Sequence, residues 1–196
     1  VLVNVVGRTV EEYAEVVAGL DTSPGFHGFE LNVSCPNTSK GGLEFGADPE
    51  ALRALVTGVR SVTAKPLFVK LSPMLSDVVG TARAAVEAGA DGLTLFNTMP
   101  GLVVETETRR PALGFGSGGV SGPALLPVAA LGTWRVTRAL PGVPVIGTGG
   151  VGTTDHALQL ILAGASLVAL GTAGMADPHA AGRIVTGLAR WCEEQG

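Results

Sequence analysis

The chain has 196 residues, a formal net charge of −4 and only 15% charged residues, against 46% hydrophobic residues and 29 glycines. This composition excludes a disordered chain and is typical of an α/β domain with many tight turns between strands and helices. The 13 basic residues form no cluster, which argues against nucleic acid and anionic membranes as partners. Two distant cysteines indicate a reducing compartment and not a disulfide framework.

Strand and helix patterns alternate along the whole chain. Short apolar runs predict six strands, at Leu2–Val6, Phe29–Val33, Leu67–Leu71, Gly92–Phe96, Val143–Ile146 and Leu167–Leu170. Capping residues and prolines predict helices that begin near Thr9, Asp48-Pro49, Ser76-Asp77, Pro123 and Asp177-Pro178, with one more between the last two strands. Two long loops without periodicity are expected at Ser34–Ala47 and Asn97–Ser121.

The uncharged stretch Ala157–Ala176 is long enough to be mistaken for a membrane-spanning helix. Three glycines and several polar residues interrupt it. A buried helix end, a turn and a parallel strand covered on both faces have the same composition, and we predict that arrangement.

Polar residues and glycines gather where the predicted strands end. They are Asn4, Asn32, Lys70, Asn97, Gly147 and Gly171. In a parallel (β/α)8 barrel all carboxyl ends of the strands open onto one face, where active sites lie. The pattern therefore favours a TIM barrel over a doubly wound sheet.

The last two predicted strands end in glycine turns, Gly147–Gly150 and Gly171–Ala173. Such turns after strands 7 and 8 are how barrels hold phosphate. Counting back makes Leu2–Val6 the third strand, so the first two β/α units are expected to be missing ahead of Val1. Residues 1–196 are interpreted as one barrel domain made of strands 3 to 8 and their helices.

All four asparagines, Asn4, Asn32, Asn37 and Asn97, lie at or just after predicted strand ends. An amide side chain both donates and accepts hydrogen bonds, which suits a ring ligand with N–H and C=O groups. Local turn capping is the alternative interpretation.

Lys70 lies near the end of an apolar strand and has the same parity as Phe68 and Ser72. A lysine inside a barrel is costly unless it has a partner. Two partners are open: a flavin, whose reduced ring gains negative charge that an ammonium stabilises, and Glu30 on the preceding strand.

Cys35 lies in the first long loop, on the predicted active face. A free thiol has a pKa of about 8.5, close enough to neutrality for the thiol to act as a general base once its surroundings lower that pKa. A lone cysteine is more often a small buried hydrophobe, which is the alternative. Cys192 is interpreted as structural. The three histidines share no metal-ligand spacing, and no metal is expected.

The stretch Glu30–Asn37, followed by Gly41-Gly42 and Phe45–Pro49, resembles the catalytic loop of the dihydroorotate dehydrogenase family. The resemblance continues in order through Val69–Pro73, Ala88–Gly92, Asn97-Thr98, Thr108–Pro111, Gly118–Pro123 and both glycine turns. Cysteine at position 35 resembles the soluble class 1 enzymes. The loop resembles class 1B, in which the catalytic subunit pairs with an electron-transfer subunit that carries FAD and a 2Fe–2S cluster.

The resemblance implies an FMN-dependent oxidoreductase that oxidises dihydroorotate to orotate in pyrimidine biosynthesis, located in the cytoplasm and with a homodimeric barrel. Cys35 would remove the C5 proton while a hydride passes from C6 to FMN N5. The residues implied to contact FMN are Asn4, Asn32, Lys70, Phe96, Gly122, Gly149, Gly150, Gly171 and Thr172. The residues implied to contact the substrate are Asn32, Asn37, Asn97 and Thr98.

Three alternatives stay open. The dihydropyrimidine dehydrogenases have a similar FMN barrel and cysteine, but their loop usually has histidine where this chain has Asn37. A flavin-free phosphosugar lyase or isomerase barrel would explain the glycine turns, but it would not explain Lys70, Cys35 and the four asparagines. A non-catalytic barrel that serves as a binding or assembly surface is the third.

Overall fold

The computed structural model describes residues 1–34 and 42–195, and within them one parallel sheet of six strands. The strands are β1 (Leu2–Val5), β2 (Gly28–Asn32), β3 (Leu67–Leu71), β4 (Gly92–Leu95), β5 (Val145–Thr148) and β6 (Leu167–Ala169). Each strand pairs with the next one along the chain, so β1 and β6 lie at the two edges. All six predicted strands are present, with bounds shifted by at most two residues.

Helices follow the strands, as the alternation predicts. They are α1 (Val10–Asp21), α2 (Gly42–Ala47), α3 (Pro49–Arg60), α4 (Val78–Glu87), α5 (Leu126–Ala139), α6 (Thr154–Leu162), α7 (Thr172–Ala176) and α8 (Ala180–Gln195). The predicted Thr9 cap is confirmed, since Thr9 Oγ1 accepts from the Glu12 amide at 3.2 Å. The Glu12 carboxylate accepts from the Arg8 amide at 2.6 Å and not from the Thr9 amide that a full capping box uses. Asp48 and Asp77 also cap their helices as predicted.

Both predicted loops contain short regular elements that the sequence did not indicate. The end of the first loop forms α2, which at six residues is too short to show a helical period. The second loop forms two antiparallel ribbons, Met99–Gly101 with Gly118–Val120 and Val104–Glu105 with Arg110–Pro111. Strands of two or three residues leave no apolar alternation to detect, so the prediction of unstructured loops was wrong there.

The final helix begins later than the Asp177-Pro178 pattern predicts, at Ala180. Asp177 instead ends α7 and accepts a hydrogen bond from the His179 amide at 2.8 Å. That bond and the Arg183 guanidinium, 2.6 Å away, hold the pKa of the exposed Asp177 carboxyl below its usual value. The carboxylate therefore ties the α7–α8 turn to the first turns of α8.

The two faces of the sheet differ in chemistry. Residues of one parity, such as Phe29, Leu31 and Val69, are fully buried, because α1, α3, α4 and α5 cover that face. The opposite parity carries polar side chains on the four leading strands: Asn4, Glu30, Asn32, Lys70 and Thr94. Parallel register places them side by side, with Asn4 beside Glu30 and Lys70 between Asn32 and Thr94. The site is built on this polar face.

The apolar stretch Ala157–Ala176 forms the end of α6, a turn, β6 and α7, which confirms the predicted order of helix, turn and strand. The expected cover on both faces of the strand was wrong, because β6 lies at the edge of the sheet and Leu167 is 60% exposed. Gly164, with φ of +108°, makes the turn out of the helix. Within the part of the chain that the structure describes, no helix is long and apolar enough to cross a membrane.

Two threonines one turn apart in α5 offer a matched stability test. Thr133 is fully buried, and its hydroxyl has no hydrogen-bond partner among the described residues. Thr137 Oγ1 has two carbonyl acceptors within reach of its single proton, Thr133 at 2.9 Å and Ala163 at 3.0 Å. We expect Thr133→Val to raise the free energy of unfolding by about 1 kcal/mol, because it removes an unpaired buried hydroxyl. Thr137→Val should lower it by a similar amount. Urea unfolding measures both, and a destabilised Thr133→Val variant would contradict the expectation.

Candidate functional site

A cavity of about 340 Å³ opens at the carboxyl ends of β3 to β6. That volume is within the range of small-ligand and cofactor sites. Of the residues predicted to contact FMN, seven line it: Lys70, Phe96, Gly122, Gly149, Gly150, Gly171 and Thr172. Of those predicted to contact the substrate, Asn97 and Thr98 line it. One cavity thus brings together predicted residues as distant in the chain as Lys70 and Thr172, which are 102 positions apart.

The glycine turn after β5 forms one end of the cavity. Gly149 and Gly150 have φ of +127° and +78°, a conformation that glycine adopts most readily. A Cβ at Gly150 would lie 2.5 Å from the Leu126 amide nitrogen. Within the described chain, the amides of Gly149 and Gly150 donate to no protein acceptor. Two unpaired amides at a side-chain-free turn fit a phosphate group.

The facing wall of this end joins two distant segments. Thr172 Oγ1, at the start of α7, donates to Ser121 Oγ at 2.7 Å. Both residues line the cavity, together with Gly122, whose φ is +101°. Sequence reasoning missed Ser121 and also Thr148, although both lie inside glycine motifs quoted for the resemblance. The motifs alone do not indicate whether such a hydroxyl lines a cavity or only forms part of a turn.

Lys70 forms the floor of the other end. Its Nζ lies 3.6 Å from Glu30 Oε1, and the two side chains are only 23% and 13% exposed. Glu30 does not line the cavity. The pairing with Glu30 is confirmed, and Lys70 also lines the cavity, so its role towards a flavin stays a prediction.

Two predicted asparagines meet beside Lys70. Asn97 Nδ2 donates to Asn32 Oδ1 at 3.2 Å and to Ser34 Oγ at 3.0 Å, while Asn97 Oδ1 accepts from the Thr98 amide at 2.8 Å. The Tyr13 hydroxyl donates to the Asn32 carbonyl at 2.9 Å. Among the described residues, Asn32 Nδ2 has no acceptor. Asn32, predicted to contact both FMN and the substrate, is not part of the cavity lining, whereas Asn97 is.

The structure does not bring every predicted residue to the cavity wall. Asn4 donates from Nδ2 to Glu30 Oε1 at 2.6 Å and lies on β1, two strands away from Lys70 on β3. Gly147 points to the helix side, where a Cβ would lie 3.1 Å from Ala165. Cys35 and Asn37 lie outside the described residues.

No group of three or more histidine, cysteine, aspartate or glutamate side chains within residues 1–34 and 42–195 is arranged to hold a metal ion. The donors around the cavity are amides, hydroxyls and one ammonium. This donor set suits a phosphate and a heterocyclic ring with carbonyl groups.

Comparison with known proteins agrees with this geometry. The family model described as dihydroorotate dehydrogenase matches residues 1–191. The chain is 48% identical over 195 residues to the protein named dihydroorotate dehydrogenase B (NAD(+)), catalytic subunit, of Pelobacter propionicus. It is 48% identical over 196 residues to the protein of that name from Geotalea uraniireducens. Each match covers 100% of this chain and 64% of the relative, so the chain spans about two thirds of the relatives' length.

Solved structures show the same fold. The ligand-free DHODH of Eimeria tenella superposes with a TM-score of 0.70 at 29% identity, covering 86% of this chain and 52% of that one. The complex of the Eimeria tenella DHODH with ferulenol superposes with a TM-score of 0.78 at 26% identity, and the match covers 95% of this chain and 55% of that one. The predicted α/β barrel class is confirmed by this likeness, with six parallel strands in the chain described here.

Proposed function

The chain belongs to the dihydroorotate dehydrogenase family, and from that premise we propose that its cavity holds FMN and that the protein oxidises dihydroorotate to orotate in pyrimidine biosynthesis. The observation that carries the proposal is the shape of the cavity. One end is a glycine turn with unpaired amides, and the other end presents Lys70 and Asn97, whose amide donates to Asn32 behind it.

The glycine turn would hold the phosphate of FMN. Gly149 and Gly150 offer backbone N–H groups, and the hydrogen-bonded hydroxyls of Thr172 and Ser121 line the same cavity. Backbone donors at a turn recognise a phosphate by its charge and oxygens. Gly171 and Gly122 leave room there, since a Cβ at either would meet nothing within 4 Å.

Lys70, Asn97 and Thr98 would line the ring end, and Phe96 the wall between. When bound, the flavin supplies the acceptor for a hydride. The Lys70 ammonium would stabilise the negative charge that the N1/C2 carbonyl edge gains on reduction. Asn32 and Asn97, with Asn37 from the segment outside the described residues, would bind the carbonyl and N–H groups of the substrate. Cys35 would remove the C5 proton as the hydride leaves C6.

We also propose that this chain acts as the catalytic part of a class 1B enzyme in the cytoplasm. The relatives' names describe them as catalytic subunits of an NAD(+) enzyme, which implies a partner for those proteins. For this chain the proposed partners are an electron-transfer subunit that carries FAD and a 2Fe–2S cluster, and a second copy of the barrel. Residues 1–196 would then form a single FMN-binding domain.

Anaerobic addition of dihydroorotate to the purified full-length protein tests this function. We expect a yellow protein whose oxidised-flavin absorption band bleaches within one turnover, because the substrate reduces the flavin directly. Dihydrouracil serves as the matched control, since it has the same dihydropyrimidine ring without the carboxylate. Bleaching by dihydrouracil alone would instead favour a dihydropyrimidine dehydrogenase. A colourless protein that FMN does not restore would contradict the flavin assignment and favour a flavin-free barrel.

A further inference from the structure

Glu30 is a carboxylate held in place on the polar face of the sheet. Asn4 Nδ2 donates to its Oε1 at 2.6 Å, and Thr94 Oγ1 donates to its Oε2 at 2.6 Å. Asn4 lies on β1, next to β2, and Thr94 lies on β4, two strands away on the other side; the Glu30 side chain is 13% exposed. Both carboxylate oxygens thus accept from neutral donors. These donors bring no positive charge to balance the carboxylate.

Lys70 supplies that balancing charge. Its ammonium is 3.6 Å from Glu30 Oε1, and among the described residues no other carboxylate forms an ion pair with it. Lys70 also lines the cavity, whereas Glu30 lies behind it. A partly buried pair of this kind is screened less than a pair on the surface. The charge that the cavity senses from Lys70 is therefore reduced by the carboxylate behind it.

We infer that Glu30 is a positioning residue that holds Lys70 at the cavity floor and lowers the reduction potential of the bound flavin. The inference rests on the function proposed above. A positive charge next to the flavin favours the reduced, more negative form. Glu30 offsets part of that positive charge, so reduction is less favourable with Glu30 present than it would be beside an unpaired lysine. The anchors from Asn4 and Thr94 keep this offset constant, because they prevent the carboxylate from turning away.

Reduction in the presence of a reference dye, on the flavin-loaded full-length protein, tests the inference without using turnover. In Glu30→Gln the side chain keeps its size and loses its charge. At a fixed potential we expect the ratio of reduced to oxidised flavin to be about tenfold higher than in the wild type. For a two-electron couple this is a rise of about 30 mV in the reduction potential. Glu30→Asp keeps the charge but withdraws it from Lys70, and should lie between the wild type and Glu30→Gln. This graded series keeps the test decisive if Glu30→Gln alone fails to retain flavin.

Glu87→Gln is the matched control, because it removes a carboxylate that pairs with Arg53 on the surface at 3.2 Å and does not line the cavity. Its flavin should have the wild-type potential. A Glu30→Gln flavin with an unchanged or lower potential, or a Glu87→Gln flavin raised equally, would overturn the inference while leaving the proposed function intact. A wild-type protein that binds no flavin would overturn the proposed function itself, and this inference with it.

Discussion

Cys35→Ser is expected to slow flavin reduction by dihydroorotate about 10²- to 10⁴-fold near pH 7, the usual contribution of a general base. A free thiol ionises near pH 8.5, whereas a serine hydroxyl is a far weaker acid and supplies almost no base at neutral pH. The loss should be in the rate of the chemical step and not in flavin binding, because no flavin contact is assigned to Cys35. Single-turnover absorbance under anaerobic conditions measures it.

Cys192→Ser is the control for the Cys35 experiment. Cys192 lies exposed on α8, among residues that do not line the cavity. Its replacement should leave flavin reduction at the wild-type rate. The rate in Cys35→Ser should also rise with pH, because hydroxide from solvent partly replaces the missing base. Equal rates in the wild type and Cys35→Ser at pH 7 would show that another group removes the proton.

Gly150→Ala is expected to weaken FMN binding by about 10- to 100-fold. The backbone there has φ of +78°, and the added Cβ would lie 2.5 Å from the Leu126 amide nitrogen. Strain of this kind costs about 1–3 kcal/mol, and about 1.4 kcal/mol is a factor of ten in affinity. The turn must shift to relieve the contact, which moves its two amides away from the phosphate. Fluorescence titration of the flavin-free protein with FMN measures the affinity.

Gly164→Ala separates loss of the phosphate site from loss of stability. Gly164 also has a positive φ, +108°, and its Cβ would lie 2.5 Å from Thr137 Oγ1. It lies in the turn after α6 and does not line the cavity. We expect both variants to unfold more easily, while only Gly150→Ala loses FMN affinity. If the two lose FMN affinity equally, the glycine turn is not the phosphate site.

Features decided within a few residues were predictable. The Thr9 cap of α1 depends on four consecutive positions, and its bond to the Glu12 amide appears as predicted. The strand Leu67–Leu71 has its predicted bounds, because an apolar run ended by Ser72-Pro73 leaves few other arrangements. The short elements inside the long loops were not predictable, since two- and three-residue strands acquire their hydrogen bonds only from a partner.

Some features of the candidate site were likewise predictable from the sequence, and others were not. Residue chemistry identified Lys70, the strand-end asparagines and both glycine turns, and it named Glu30 as a possible partner for Lys70. Sequence gave no reason to link Ser121 with Thr172, which are 51 positions apart and share a hydrogen bond. Nor did it indicate that Asn4 would contact Glu30 and not the cavity. Such pairs depend on which strands are neighbours and on their register.

By itself, then, the amino-acid sequence determined the alternation of strands and helices, the α/β class, the family and the chemical groups available at the strand ends. These follow from local caps, side-chain periodicity and motif order. Only the tertiary structure decided which of those groups meet: Thr94 with Glu30, 64 positions apart, and Asn97 with Asn32, 65 positions apart. The physical reason is that neighbouring parallel strands are set by packing of the whole sheet against its helices, and a shift of one residue in register would turn each polar side chain to the opposite face.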